Sequence, residues 1–486
     1  MKALLIILLG LYVNASYAQE LDTTKVASRT KELDEVVVKA SYLSRGDDHI
    51  IAMPTKEQRK HAVTGYDLLN NLMIPGISVD RLKGFVATPA GNATLYIDGR
   101  QVDFREIQSL RPKDISRVEF YDIPTGKYSK DAYSINIVMK PFNNGGYTQL
   151  DARQGVGYLN GDYNLISKFM TGSKSLNLWA GHSVENPKST LTEHEVFNFP
   201  SYQLNRLQSY HNAGNKSLED YVQASISNRG KKYIWMLRGG LVWNSKRNGI
   251  NNGITNFWQT GVALDNGSIL SENRRDKSFR QSVYYYGLHN LSNTKSLDYV
   301  IDAYYSRNNY NRLYNENKAS YHSIVKENYY NAKINANYSM SFKHRNRLGI
   351  SLFEFLKISD SEYTGTSTYN QKLRSSESIL FADYSQRIGK FFFDINPGLS
   401  FLTYRLSGMA SINHLTPRFQ SRSSFMLSKT QQLQFTFALG NTYPRINTIN
   451  NVEQQIDPVV ILKGNPDMDN SILLSPRISY MLNVSK

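Results

Sequence analysis

A mainly β fold, a transmembrane antiparallel β-barrel behind a small N-terminal α/β domain, is the class this sequence predicts. Three observations carry it. From Gly145 onward, apolar and polar residues alternate with period two over long stretches. The mean hydropathy is −0.46, yet the chain holds 33 Tyr and 21 Phe, as expected of strands that are apolar on one face only. Short and long connections also alternate along the chain, which is the membrane-barrel pattern of short periplasmic turns and long outer loops.

The N-terminus reads as an address. "MKALLIILLGLYVNASYAQE" has a basic start at Lys2, an apolar run from Ala3 to Val13 and a small-residue end at Ala18. That is a secretory signal peptide over residues 1–18. The run is too short to cross about 30 Å of hydrocarbon, which takes about 20 residues. No Cys follows the expected cut, so a lipoprotein anchor is excluded. Residues 19–33 are then a periplasmic segment.

The small domain is expected over residues 34–143. "DEVVV", Asp34, Glu35, Val36, Val37 and Val38, is a β-branched run between polar residues and reads as a strand or strand-forming peptide. Tyr66, Leu69, Leu72 and Met73 fall at helical spacing behind Thr64 as N-cap, and Pro75-Gly76 stops that helix. Leu95 and Ile97 share one face of a strand that turns back at Asp98-Gly99, a strong two-residue hairpin signal. Asp103 caps a short helix that ends before Pro112. "VEFYDIPTGKYSKDAYSINIVMKP", Val118–Pro141, is two strands joined by a loop over Pro124–Asp131.

Residues 144–486 carry the barrel strands. "NAKINANYSMSF" places Ala332, Ile334, Ala336, Tyr338, Met340 and Phe342 on one face. "YIWMLRGGLVWN", "LQFTFAL" and "LDYVIDAYY" repeat the pattern, each expected to run about 9–12 residues, the length of a tilted membrane strand. Short turns are expected near 172–174, 228–232, 293–295, 343–347, 388–390 and 428–431. Long loops are expected near 185–217, 245–278, 308–327, 358–375 and 441–471, with shorter outer connections at 157–161 and 407–414. About fourteen strands can be drawn, against about 22 in a plugged transporter barrel. The barrel is therefore expected to be incomplete, with the chain truncated at its C-terminal side; a self-contained fourteen-strand barrel is the other reading.

The motifs "LLNNLMIPGISVD", "ATLYIDGRQV", "DISRVEFYDIPTGKYS" and "INIVMK" stand in this order behind the signal peptide. Together they resemble the plug domain of TonB-dependent outer-membrane receptors, and most of all the shorter Bacteroidetes-type receptors. The residues that carry the resemblance are Pro75, Gly76, Asp98, Gly99, Glu119, Pro124, Tyr128, Asn136 and Lys140. The family's glycine-rich run before the "INIxxK" piece is replaced here by "SKDAYS". The resemblance implies energised uptake of a bulky solute: a siderophore, haem, an oligosaccharide or a peptide. It implies TonB of the inner-membrane energy-transducing complex as a partner, with a surface lipoprotein and outer-membrane lipid and lipopolysaccharide around the barrel. Asp34–Val38 is the candidate segment for TonB, by adding an edge strand to it; an ordinary first strand of the plug is the other reading.

The charge of +16, from 57 Lys+Arg against 41 Asp+Glu, raises nucleic acid as a partner, and the signal peptide argues against it. With no Cys and nine scattered His, no disulfide, metal site or cofactor is expected. No nucleophile elbow or paired carboxylates suggest an enzyme. Lys333 and Arg238 face the lumen in this reading, where they could steer an anionic solute, balance lumen acids or meet lipopolysaccharide phosphates. A passive or adhesive barrel without TonB coupling is the alternative, and it has no need of residues 34–143.

Overall fold

The computed structural model describes Tyr42–Leu482 apart from short stretches (46–48, 82–83, 89–90, 123, 125–127, 129–130, 141–143, 231, 260–261, 265–266, 343–345, 366–367 and 429–430). No described helix is long and apolar enough to cross a membrane.

The N-terminal elements are β1 (Leu43–Arg45), β2 (Ile50–Ala52), α1 (Lys56–Lys60), α2 (Gly65–Asn71), β3 (Ser78–Asp80), β4 (Phe85–Thr88), β5 (Gly91–Asn92), β6 (Thr94–Ile97), β7 (Arg100–Gln101), α3 (Phe104–Gln108), β8 (Ile115–Tyr121) and β9 (Ser134–Met139). Thr64 caps α2 through a capping box: Asp67 N–H donates to Thr64 Oγ1, and Thr64 N–H returns a bond to Asp67. Asp103 caps α3 by accepting from Glu106 N–H. One mixed sheet runs β1-β2-β8-β9-β6-β7, with β6 and β9 parallel. Val118 and Phe120 of β8 and Ile135 and Ile137 of β9 are fully buried against Leu68, Leu69 and Ile107. Each such side chain contributes roughly 1.5–3 kcal/mol by leaving water.

The rest is one antiparallel sheet. Its strands are β10 (Asn144–Gln154), β11 (Leu159–Thr171), β12 (Lys174–Asn186), β13 (Lys188–Asn198), β14 (Gln203–Arg229), β15 (Tyr233–Gln259), β16 (Val262–Ala263), β17 (Ser268–Asn290), β18 (Lys295–Glu316), β19 (Ala319–Ser341), β20 (Arg347–Thr364), β21 (Thr368–Ile388), β22 (Phe391–Leu406), β23 (Ile412–Met426), β24 (Gln431–Thr442) and, past a long connection, β27 (Ser471–Leu482). That connection holds α4 (Ile446–Ile449), β25 (Gln454–Gln455) and β26 (Ile461–Leu462). Fourteen strands form the main path from β10 to β27, with β13 and β16 paired to its side.

The sheet curls around the small domain. Laid flat at about 4.8 Å per strand, β10 and β27 would stand about 60 Å apart. Yet Tyr147 of β10 donates to Ser109 O at 2.8 Å, and Met481 of β27 lies 3.8 Å from where a Cβ on Gly76 would sit. Both ends of the path touch one domain of about a hundred residues, so the sheet forms a wall around it.

Register separates two faces. Residues that touch the small domain, such as Glu219 and Arg238, mark the inner one. The outer face of β15 presents Leu237, Leu241 and Trp243, all exposed, and that of β19 presents Ile334. This apolar-outside, polar-inside alternation is what lipid demands. Tyr233 and Tyr285, joined by a 2.6 Å bond between hydroxyls, bound the outer band at the short-turn end; Trp243 and Phe279 bound it at the other. Ten residues from Tyr233 to Trp243, at about 3.4 Å each and tilted about 40°, give a band about 26 Å tall, close to the expected 25 Å.

Two expectations need correction. Most of the long loops are strand: β14 and β15 run 27 residues each, and the 308–327 and 358–375 regions are hairpins whose last paired residues are Glu316 with Ala319 and Thr364 with Thr368. The strands accordingly run from 11 to 27 residues in the main path, well beyond the expected 9–12. The hairpins extend past the apolar band, and cross-strand bonding continues where both faces are wet. Connections at the opposite end are short, as expected.

Candidate functional site: the enclosed domain and the cavity in the wall

Several residues of the family-like motifs come together, and they hold the small domain in shape. Asp98 (φ 48°) and Gly99 (φ 79°) form the turn between β6 and β7, with both central residues in the left-handed region that such a hairpin requires. Gly99 N–H donates to Asn136 Oδ1 at 2.7 Å, and Asn136 Nδ2 donates to Glu119 Oε2 at 2.8 Å. Arg117 also donates to Glu119. Asp98 accepts from Met139 N–H and pairs with Arg229 of β14 at 2.7 Å. Lys140 donates to Lys113 O. Pro75 and Gly76 end α2 on an exposed turn, with Gly76 at φ 85°. Tyr128 is buried between Tyr96 and Tyr121. Asp34–Val38 lie outside the described residues.

The wall grips this domain through charge. Arg238 of β15 reaches Asp103 at 2.9 Å and Glu106 at 3.0 Å, and Arg100 also pairs with Glu106. Burial pushes the Glu106 carboxyl up, but Arg100, by charge and hydrogen bond, and then Arg238 hold it below its ordinary value. Arg105 pairs with Glu219 at 2.9 Å and lies 3.9 Å from the Tyr221 ring centre. From the far side, Arg422 of β23 donates to Pro124 O at 3.1 Å and to Asp131 O. Arg238 is thus committed to the small domain. Lys333 stands 5.8 Å over the Phe355 ring on the inner wall.

A cavity of about 710 Å³ lies between strands β17 to β21 and the connection after β24. The connection folds inward and is pinned from several strands. Asp457 pairs with Arg206 at 2.9 Å, their side chains 6% and 4% exposed; at that burial the pair is little screened by solvent. Arg312 donates to Ile456 O, Gln371 to Asn451 at 2.9 Å, and Ile449 packs with Leu402 and Leu406. Tyrosines 304, 310, 329, 363 and 443 line the cavity, with Arg274, Lys357, Arg445 and one acid, Glu327. Glu327 is occupied by Asn308 and Ser359, and Arg274 by Asp276. Lys357 Nζ stands 4.9 Å over the Tyr443 ring. Tyrosine faces stack on flat or apolar groups and their hydroxyls hydrogen-bond, while Lys357 and Arg445 favour negative charge. Sequence reasoning passed over these residues individually; the tyrosine excess was their signal.

No protein-family model and no curated protein matches the chain. Among solved structures it is similar to the ferric yersiniabactin uptake receptor FyuA from Yersinia pestis, at 10% identity over 90% of each chain with a TM-score of 0.34. It is similar to the copper transporter OprC, at 11% identity over 91% of this chain and 70% of that one, TM-score 0.44. It is also similar to the siderophore receptor PiuA from Acinetobacter baumannii, at 10% identity over 82% and 65%, TM-score 0.42. The architecture is an N-terminal α/β domain enclosed by an antiparallel wall of fourteen main-path strands.

Proposed function

We propose that this chain is a TonB-dependent outer-membrane receptor that takes up a bulky solute from outside the cell. The observation that carries the reading is the enclosed domain: a pore for passive flow gains nothing from a lumen filled by a domain gripped through Arg238, Arg105 and Arg422. The solute enters from the long-hairpin side and is held first in the tyrosine-lined cavity. The N-terminal segment faces the periplasm, where Asp34–Val38 adds a strand to TonB. Ion pairs suit this work, because they hold the plug yet release under a directed pull more readily than an extensive apolar interface.

Growth of a null mutant on defined iron and glycan sources identifies the solute. The full chain should restore that growth. A chain lacking Gln19–Lys39 should bind the solute at the cell surface without restoring growth. Growth restored by the deleted chain would favour the passive barrel instead.

A further inference from the structure

A second inner cavity, of about 280 Å³, lies between the small domain and the inner faces of β22, β23, β24 and β27. It shares no lining residue with the tyrosine-lined cavity. Its wall side is built on one register row: Asp394, Arg422, Thr436 and Arg477 are direct partners across the four strands. Arg422 and Arg477 therefore flank Thr436, two strands or about 10 Å apart at the backbone. Tyr133 of the small domain lines the cavity opposite them. Burial and Asp122 push the Tyr133 hydroxyl up while Arg422 and Arg477 pull it down, so both cations act on that hydroxyl.

Several polar groups of this cavity still have capacity. Arg422 is 9% exposed. Its Nη atoms hold Pro124 O and Asp131 O, but its buried Nε has no partner. Arg477 is exposed and makes no hydrogen bond or ion pair among the described residues. Asn396 is 2% exposed. Its Nδ2 donates to Asp394 Oδ2 at 3.0 Å, and its buried Oδ1 has no partner. Buried donors and acceptors left unmade are costly. The cavity thus offers cationic donors from β23 and β27 and an acceptor from β22.

That combination selects its ligand. Guanidinium groups favour tetrahedral oxyanions, whose oxygens match their N–H donors. The acceptor side then discriminates among oxyanions. At neutral pH inorganic phosphate keeps a P–O–H proton, which can donate to Asn396 Oδ1. Sulfate keeps none and would meet Asp394 as charge against charge. A phosphate monoester loses its last proton at about pH 6 and so behaves like sulfate. The volume admits phosphate with a few waters.

We propose that this cavity binds inorganic phosphate. Arg422 Nε and the Arg477 guanidinium donate to its anionic oxygens, the Thr436 and Tyr133 hydroxyls add to them, and Asn396 Oδ1 accepts from its P–O–H. Bound there, phosphate bridges the small domain to β23 and β27, a tie independent of the ion pairs of Arg238 and Arg105. The site is separate from the solute cavity and does not rest on coupling to TonB.

The test is isothermal titration calorimetry on the purified full chain in detergent, with inorganic phosphate, sulfate and glucose 6-phosphate as probes. Ionic strength is held constant, so that general attraction to a basic chain is the same throughout. The wild type should bind phosphate saturably, and at least tenfold more tightly than either other anion. Arg477→Ser, which breaks no bond of the fold, should lose at least tenfold in phosphate affinity while keeping heat-modifiable migration. Arg307→Ser, an equal loss of charge on β18, should bind phosphate as the wild type does. Absence of saturable phosphate binding, or sulfate bound as tightly as phosphate, would overturn the proposal without reference to any variant. Tighter binding of glucose 6-phosphate would overturn it in favour of an organic solute. Wild-type affinity in Arg477→Ser, or an equal loss in Arg307→Ser, would place the ion elsewhere and overturn it too.

Discussion

Arg238 Nη1 lies 3.0 Å from Glu106 Oε1, linking strand β15 of the wall to helix α3 of the enclosed domain. Because Glu106 is held below its ordinary value of 4.5 by Arg100 and Arg238 against the effect of burial, its pairs contribute stability above that value. The contribution is lost as pH falls through the depressed folded value. Glu106→Gln should therefore lower the thermal stability of the protein at neutral pH, by roughly 2–4 kcal/mol. The deficit should shrink as wild type and variant are compared below about pH 4. A deficit that stays constant from neutral to acid pH would remove the charge from this account.

Asn136 is fixed between Gly99 N–H and Glu119. Asn136→Ala leaves the buried Gly99 donor and one Glu119 oxygen without this partner, at a cost of roughly 2–4 kcal/mol. Limited proteolysis should then cut the small domain faster while the β-sheet circular dichroism of the wall is unchanged. Unaltered proteolysis would show that the network has slack.

The segment after β24 should be releasable from the wall. Asp457→Asn removes the charge opposite Arg206 Nη1, while Arg206 keeps Glu195, so folding should survive. Trypsin should reach exposed Lys463 several-fold faster than in the wild type, and solute bound in the cavity should slow it again. Cleavage at the wild-type rate would mean that Arg312 and Ile449 suffice to pin the segment.

The band that crosses lipid was legible because one face there must be apolar: Leu237, Leu241 and Trp243 of β15 alternate with inner residues over its whole height. The extensions of β14, β15 and β17 to β19 were not. Above the band both faces meet water, period two has no cause, and polar strands such as Asn308–Glu316 read as loop. The Thr64 and Asp103 caps and the Asp98-Gly99 turn were legible because each is local chemistry. Arg238 was not, since a cation on an inner position does not say whether its partner is a solute or a carboxylate 132 residues away in the chain. The cavity lies further still from local pattern, for its tyrosines come from separate strands and from the inward connection.

The central claim is coupling to TonB, and the most direct measurement is binding of a purified TonB periplasmic domain to the full chain and to its Val37→Pro variant. Proline removes a backbone donor from the segment that would pair as an edge strand. The account predicts saturable binding of the wild type that falls at least tenfold in the variant. No binding by the wild type, or equal binding by both, would contradict it.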